Sequence, residues 1–235
     1  MEEGRDIRKD LELSSGDYAH AGVKAGLSTI PYLGGSIAEF FSFVISPPLV
    51  KRRDEWLIVI YDRLVSLEEN IEGFNIANLS ENENFISMLL YATQIAMRTR
   101  EKEKLEALKN VVVNSILVPE IDENMQQIFL NIVDRYTPWH LLILNCLNDP
   151  RKFCEEKGIN YSCSIVGSKS SMLECANPEL RGRQEFYDQI IKDLYYNGLI
   201  NLDSLHTNMS ENGVFQSNTT KMGKEFLRFI QSDLE

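Results

Sequence analysis

The sequence predicts a mainly α-helical protein. An N-terminal helical bundle carries an apolar hairpin, and a C-terminal helical domain carries a small β-hairpin. Three observations point there. Apolar residues recur at three- and four-residue intervals through most of the chain, the period of one helix face. Pro, Gly and Ser/Thr/Asp residues punctuate those runs where helices start and stop. Near the C-terminus, Asn212-Gly213 separates two short runs, the strongest short hairpin signal.

The elements follow in order. Residues 1–16 are charged and end in Ser14-Ser15-Gly16, the pattern of a flexible leader. Between Ala25 and Val50 the only charge is Glu39. Pro31, Gly34-Gly35 and Pro47-Pro48 interrupt this stretch, so it reads as an apolar hairpin of two short helices over residues 21–50, the second ended by Pro47-Pro48. Leu57, Ile60, Leu64, Leu67 and Ile71 then keep a 3-4-3-4 rhythm with Trp56 beside it, and Gly73 is the stop. Ser80 and Glu83 have capping-box spacing ahead of Phe85, Met88, Leu89, Ala92 and Ile95. Leu105, Leu108, Val112 and Ile116 mark the next helix, and Ile121, Met125, Ile128 and Ile132 the one after Pro119. The bundle is thus expected over residues 17–134.

A second domain is expected over residues 135–235. Thr137-Pro138 and Asp149-Pro150 each place a cap before a proline at the first helical position. The Ser-rich stretch 160–178 reads as a loop. Phe186, Ile190 and Leu194 mark a helix ended by Asn197-Gly198. Leu205-His206-Thr207-Asn208 and Val214-Phe215-Gln216-Ser217 are the expected hairpin strands, and Thr219-Thr220 caps the last helix.

Composition narrows the function classes. The 235 residues carry 24 Lys+Arg against 35 Asp+Glu, a net charge of −11, which argues against a general nucleic-acid coat protein. With 43% hydrophobic residues the chain can bury a core without disulfides or metal. Cys146, Cys154, Cys163 and Cys175 form no C-x-x-C pair, so free thiols are expected and not a zinc site with His140 or His206. No charged n-region leads into an apolar h-region at Met1–Glu12, so the expected location is the reducing cytoplasm. Val166-Gly167-Ser168-Lys169-Ser170-Ser171 lacks the glycine spacing of a phosphate loop, and no hydrolase or metalloprotease motif occurs. No catalytic residue, metal ligand or cofactor is assigned, and a non-enzymatic role is expected.

Two resemblances add to this. Asp193-Leu194-Tyr195-Tyr196-Asn197-Gly198-Leu199-Ile200 and Thr220-Lys221-Met222-Gly223-Lys224-Glu225-Phe226-Leu227 are similar to the segments entering and leaving the wing of a winged helix. That likeness implies a winged-helix-like domain over 135–235, opened by Thr137-Pro138-Trp139-His140-Leu141-Leu142-Ile143-Leu144. Across the chain, Ile30-Pro31-Tyr32-Leu33-Gly34-Gly35 and Pro47-Pro48-Leu49-Val50-Lys51-Arg52-Arg53-Asp54-Glu55-Trp56 resemble an uncharacterised bacterial helical family. Some helical proteins of this general look act in phage defence.

In a DNA-binding winged helix the third helix presents cations to the major groove. Here the candidate contacts are Arg181, Arg183 and Lys192, offset by Glu185, Asp188 and Asp193. From Met172 to Glu235 six basic residues face ten acidic ones, which disfavours DNA. Phe40, Phe41 and Phe43, followed by Lys51, Arg52 and Arg53, are the candidate membrane contacts, with core packing as the commoner role of such a hairpin. The expected function is therefore a protein-interaction module that binds a partner protein or itself through helical faces. A winged-helix DNA-binding regulator comes second, and a membrane-active effector using residues 21–50 third.

Overall fold

The computed structural model describes residues 35–161 and 166–231, with side chains from residue 48 onward. The leader at 1–16 and the first half of the expected apolar hairpin lie outside the described residues. The chain is mainly helical, in two compact units that divide between Arg100 and Glu101.

The first unit holds α1 (Gly35–Asn70), a 3₁₀ turn (Ile76–Glu81) and α2 (Glu83–Arg98). Pro47-Pro48 does not end a helix: α1 runs through both prolines for 36 residues, about 54 Å. Proline's fixed φ is helical, but each proline removes a donor and crowds the carbonyl one turn back, a local cost of about 3 kcal/mol that does not end α1. Trp56, Ile60, Leu64 and Leu67 form the buried seam, so Trp56 takes the place expected of Leu57. Opposite them, Phe85, Met88, Ala92 and Ile95 line the inner face of α2. Burying each large member contributes about 1.5–3 kcal/mol. Trp56 Nε1 donates to Thr93 Oγ1 at 3.0 Å, and Arg52 donates to the Met97 carbonyl at 3.3 Å, which fixes the two helices antiparallel. Gly73 stops the first hairpin arm at φ +84°. The cap of α2 is Asn82, whose side chain accepts from the Phe85 amide; Ser80 lies inside the 3₁₀ turn.

The second unit comprises α3 (Lys102–Leu117), α4 (Glu123–Arg135), α5 (Pro138–Asn148), α6 (Pro150–Glu156), α7 (Lys169–Ala176), a 3₁₀ turn (Pro178–Leu180), α8 (Gln184–Tyr196), α9 (Glu211–Val214) and α10 (Lys221–Ile230). Helix α3 packs against α4 and against the last helix, α10. Buried Asn110 donates to the Ile230 carbonyl at 3.0 Å, and Asn114 donates to the Phe229 and Gln231 carbonyls at 2.9 and 3.0 Å. These are C-terminal helix carbonyls that otherwise lack partners. Helices α3 and α4, which precede the expected boundary at 134/135, share a core with α10. Phe129 of α4 lies 5.4 and 5.8 Å from the rings of Phe226 and Phe229.

The expected β-hairpin is absent from the described residues, which carry only two isolated bridges, Gly167 to Met209 and Ile200 to Thr219. Around Asn212-Gly213 the chain makes the single helical turn α9, with the Ser210 side chain accepting from the Gly213 amide. The Lys169 ammonium donates to the carbonyls of Val214 and Gln216, both at 2.7 Å, and so satisfies the end of that turn. A tertiary cation thus overrides the local hairpin signal. The stretch expected as a loop over 160–178 contains α7, whose cap Ser168 accepts from the Ser171 amide. The caps at Thr137, Asp149 and Thr220, and the positive-φ stop at Gly198, lie where the sequence places them.

Candidate interaction site

Helix α2 has two apolar seams. The inner one is spent on α1. The outer one runs Ile86, Leu90, Thr93 and Met97 at 4-3-4 spacing, which places the four on one side of the helix. Leu90 is 59% exposed and Ile86 37%, while Thr93 and Met97 are half-buried where the seam meets α1. Tyr91, 51% exposed, flanks it. Scattered surface apolar residues are normal, but a second heptad-spaced seam on one helix is a surface shaped to meet another helix.

Charge is segregated along the same unit. Glu81 and Glu83 stand exposed at the start of α2, and Arg98 and Arg100 stand exposed at its end. Antiparallel packing puts the exposed Lys51 and Arg52 of α1 at the basic end, and Glu68, Glu69 and Glu72 at the acidic end. The Glu68 carboxylate accepts from the Ile76 amide at 2.9 Å, which anchors it beside the 3₁₀ turn.

The residues singled out in the sequence are dispersed. The backbone of Phe40, Phe41 and Phe43 belongs to α1, and their side chains lie outside the described residues. Lys51 pairs with Glu55 at 3.7 Å, Arg52 bonds the Met97 carbonyl, and Arg53 forks onto Asp54 at 2.9–3.0 Å. The basic cluster is therefore engaged within its own unit. No described helix is long and apolar enough to cross a membrane. In the second unit Arg181 and Arg183 are exposed just before α8, and the Arg183 guanidinium sits 4.1 Å from the Phe186 ring centroid. Lys192 is exposed nine residues further on, about 13 Å along the helix axis. Tyr195 and Tyr196 end the same helix, both exposed.

Two buried polar clusters were not legible as sites. Lys169, 2% exposed, is held by carbonyls alone, and burial pushes its ammonium down to about 8. It works as a clamp on α9. His140 Nδ1 lies 2.9 Å from Thr137 Oγ1 and accepts from the Thr137 amide at 3.2 Å, so Nε2 carries the proton toward Asp193 at 3.3 Å. Tyr136 stacks on the imidazole at 4.4 Å. Burial holds His140 below the ordinary histidine range, against the opposing pull of Asp193. The Thr137 hydroxyl serves the helix cap, and this cluster ties α5 to α8.

Cys146, Cys154 and Cys175 are free thiols, and burial raises Cys146 to about 12, far from thiolate reactivity. No group of three or more His, Cys, Asp or Glu among the described residues has metal-site geometry. The chain matches no protein-family model, no curated protein and no solved structure.

Proposed function

We propose that this is a non-enzymatic bacterial protein of the cytoplasm that binds another protein through the helical face of its first unit. The observation that carries the reading is the outer seam of α2, where Leu90 and Ile86 remain exposed at heptad spacing beside Tyr91. Apolar and aromatic side chains at helical intervals are what a helix-on-helix docking surface presents. The test is a quantitative pull-down with the tagged full chain, detergent-free, comparing wild type with Leu90→Glu and assaying protein, nucleic acid and lipid. A stoichiometric protein that the substitution releases supports the reading. Recovery of nucleic acid or lipid alone refutes it.

A winged-helix-like regulator that binds DNA is the second reading, favoured by the exposure of Arg181, Arg183 and Lys192 around α8. Against it, residues 201–218 hold Asp203 and Glu211 with no Lys or Arg, so a wing there has no cation for phosphate. Duplex binding that weakens steeply with salt and with Arg181→Glu/Arg183→Glu would favour it over protein docking.

A further inference from the structure

We propose that the partner of the α2 outer seam is a second copy of this chain, with the two α2 helices packed antiparallel about a two-fold axis near Tyr91. The inference rests on the reading of α2 as a docking face and adds the identity and geometry of its occupant.

Two independent features of the helix agree on this geometry. The first is the seam. Antiparallel superposition about a point between Tyr91 and Ala92 sets Ile86 beside Met97 of the second copy and Leu90 beside its Thr93, so the seam is self-complementary. The second is charge. The same superposition brings Glu83 level with Arg100 of the second copy, with Glu81 nearby, at both ends of the contact. A parallel arrangement would stack Glu83 on Glu83 and Arg100 on Arg100, which repel. The charges of α1 reinforce the choice, since Lys51 and Arg52 lie at the basic end and Glu68, Glu69 and Glu72 at the acidic end. A two-helix layer paired this way forms a four-helix arrangement with an enclosed core.

The contact is modest. Helix α2 has 16 residues, about 24 Å, so the pairing is short and the dimer is sought over a wide range of concentration. Sedimentation equilibrium of the full chain from about 1 to about 100 µM is the direct measurement. A monomer–dimer equilibrium is expected, abolished by Leu90→Glu with the helical circular dichroism unchanged. Glu83→Arg and Arg100→Glu should each weaken the dimer about tenfold, because symmetry repeats every like-charge contact twice. The doubly reversed chain should recover wild-type affinity, a rescue that only antiparallel pairing produces. A chain monomeric throughout that range, or a dimer indifferent to Leu90→Glu, or a double reversal that fails to rescue, overturns the proposal. If the chain is monomeric while Leu90→Glu still releases a different protein in the pull-down, the docking role stands and the self-pairing fails.

Discussion

Gly223 is where the second unit is least able to accept a side chain. It lies in the first turn of α10, and its amide donates to the Thr220 hydroxyl at 3.0 Å. A Cβ built there would sit 2.1 Å from the Leu199 carbonyl oxygen, 2.6 Å from Thr219 Cγ2 and 3.0 Å from the Leu199 carbonyl carbon. The first distance is more than an ångström short of van der Waals contact. Nothing nearby yields easily. The Leu199 carbonyl accepts from the Thr220 amide at 2.9 Å, and the Asn201 amide donates to the Asn218 carbonyl at 2.9 Å across the Ile200 to Thr219 bridge. Gly223→Ala gains about 1 kcal/mol of helix propensity. It costs about 1–3 kcal/mol of overpacking, and about 1 kcal/mol for each hydrogen bond that the shifted strand segment gives up. A net loss of about 2–4 kcal/mol is expected, read by urea unfolding followed by circular dichroism. Gly213→Ala is the milder comparison, because the three nearest atoms to its Cβ are Met209 Cβ, Cγ and Sδ at 3.1–3.3 Å, with no backbone atom among them. A neutral or stabilising Gly223→Ala would refute the close approach of α10 to the Leu199 carbonyl, and with it the placement of the last helix.

The remaining predictions concern the buried polar groups. Asn114→Ala strips partners from the Phe229 and Gln231 carbonyls and should cost about 1–3 kcal/mol, with hydrogen exchange accelerated in the last turn of α10. Lys169 is depressed in the folded state to about 8 from 10.5, so the unfolded chain binds the extra proton between those values and stability rises with pH across that window. The gain is of order 3 kcal/mol, and Lys169→Met should flatten it in urea titrations run between about pH 7.5 and 10.5. His140 is depressed for the same reason, burial, so its contribution is complete above about pH 6.5 and is lost as pH falls through the folded value. Denaturation midpoints at about pH 7.5 and 5 should therefore differ more in wild type than in His140→Gln. Equal slopes would show that the imidazole is not held neutral.

Helix boundaries were legible where a local device sets them. Thr137-Pro138, Asp149-Pro150, Gly73 and Gly198 act through their own backbone and nearest neighbours, and each terminates or starts an element as the sequence implies. Pro47-Pro48 and Ser80 are local signals that the structure overrides, and the remaining failures share a different cause. In α4 the sequence offers Met125, Ile128 and Ile132 as the buried face; Ile132 is buried, but Ile128 is 45% exposed and Phe129, Leu130 and Val133 join the core in its place. Two phenylalanines more than ninety residues away, Phe226 and Phe229, decide that rotation. Helix α7 is short and polar, and it exists because Lys169 and Ser170 find buried partners in residues 205–216. The Asn212-Gly213 turn is overruled by the same lysine. What the sequence concealed, then, is whatever depends on a distant partner, and the outer seam of α2 belongs to that class. Ile86, Leu90, Thr93 and Met97 were readable as a 4-3-4 pattern, but the pattern interleaves with the core seam Phe85, Met88, Ala92 and Ile95 on the same helix. Only burial separates the two, because it shows that α1 covers the inner seam and reaches Thr93 and Met97, while Ile86 and Leu90 stay exposed.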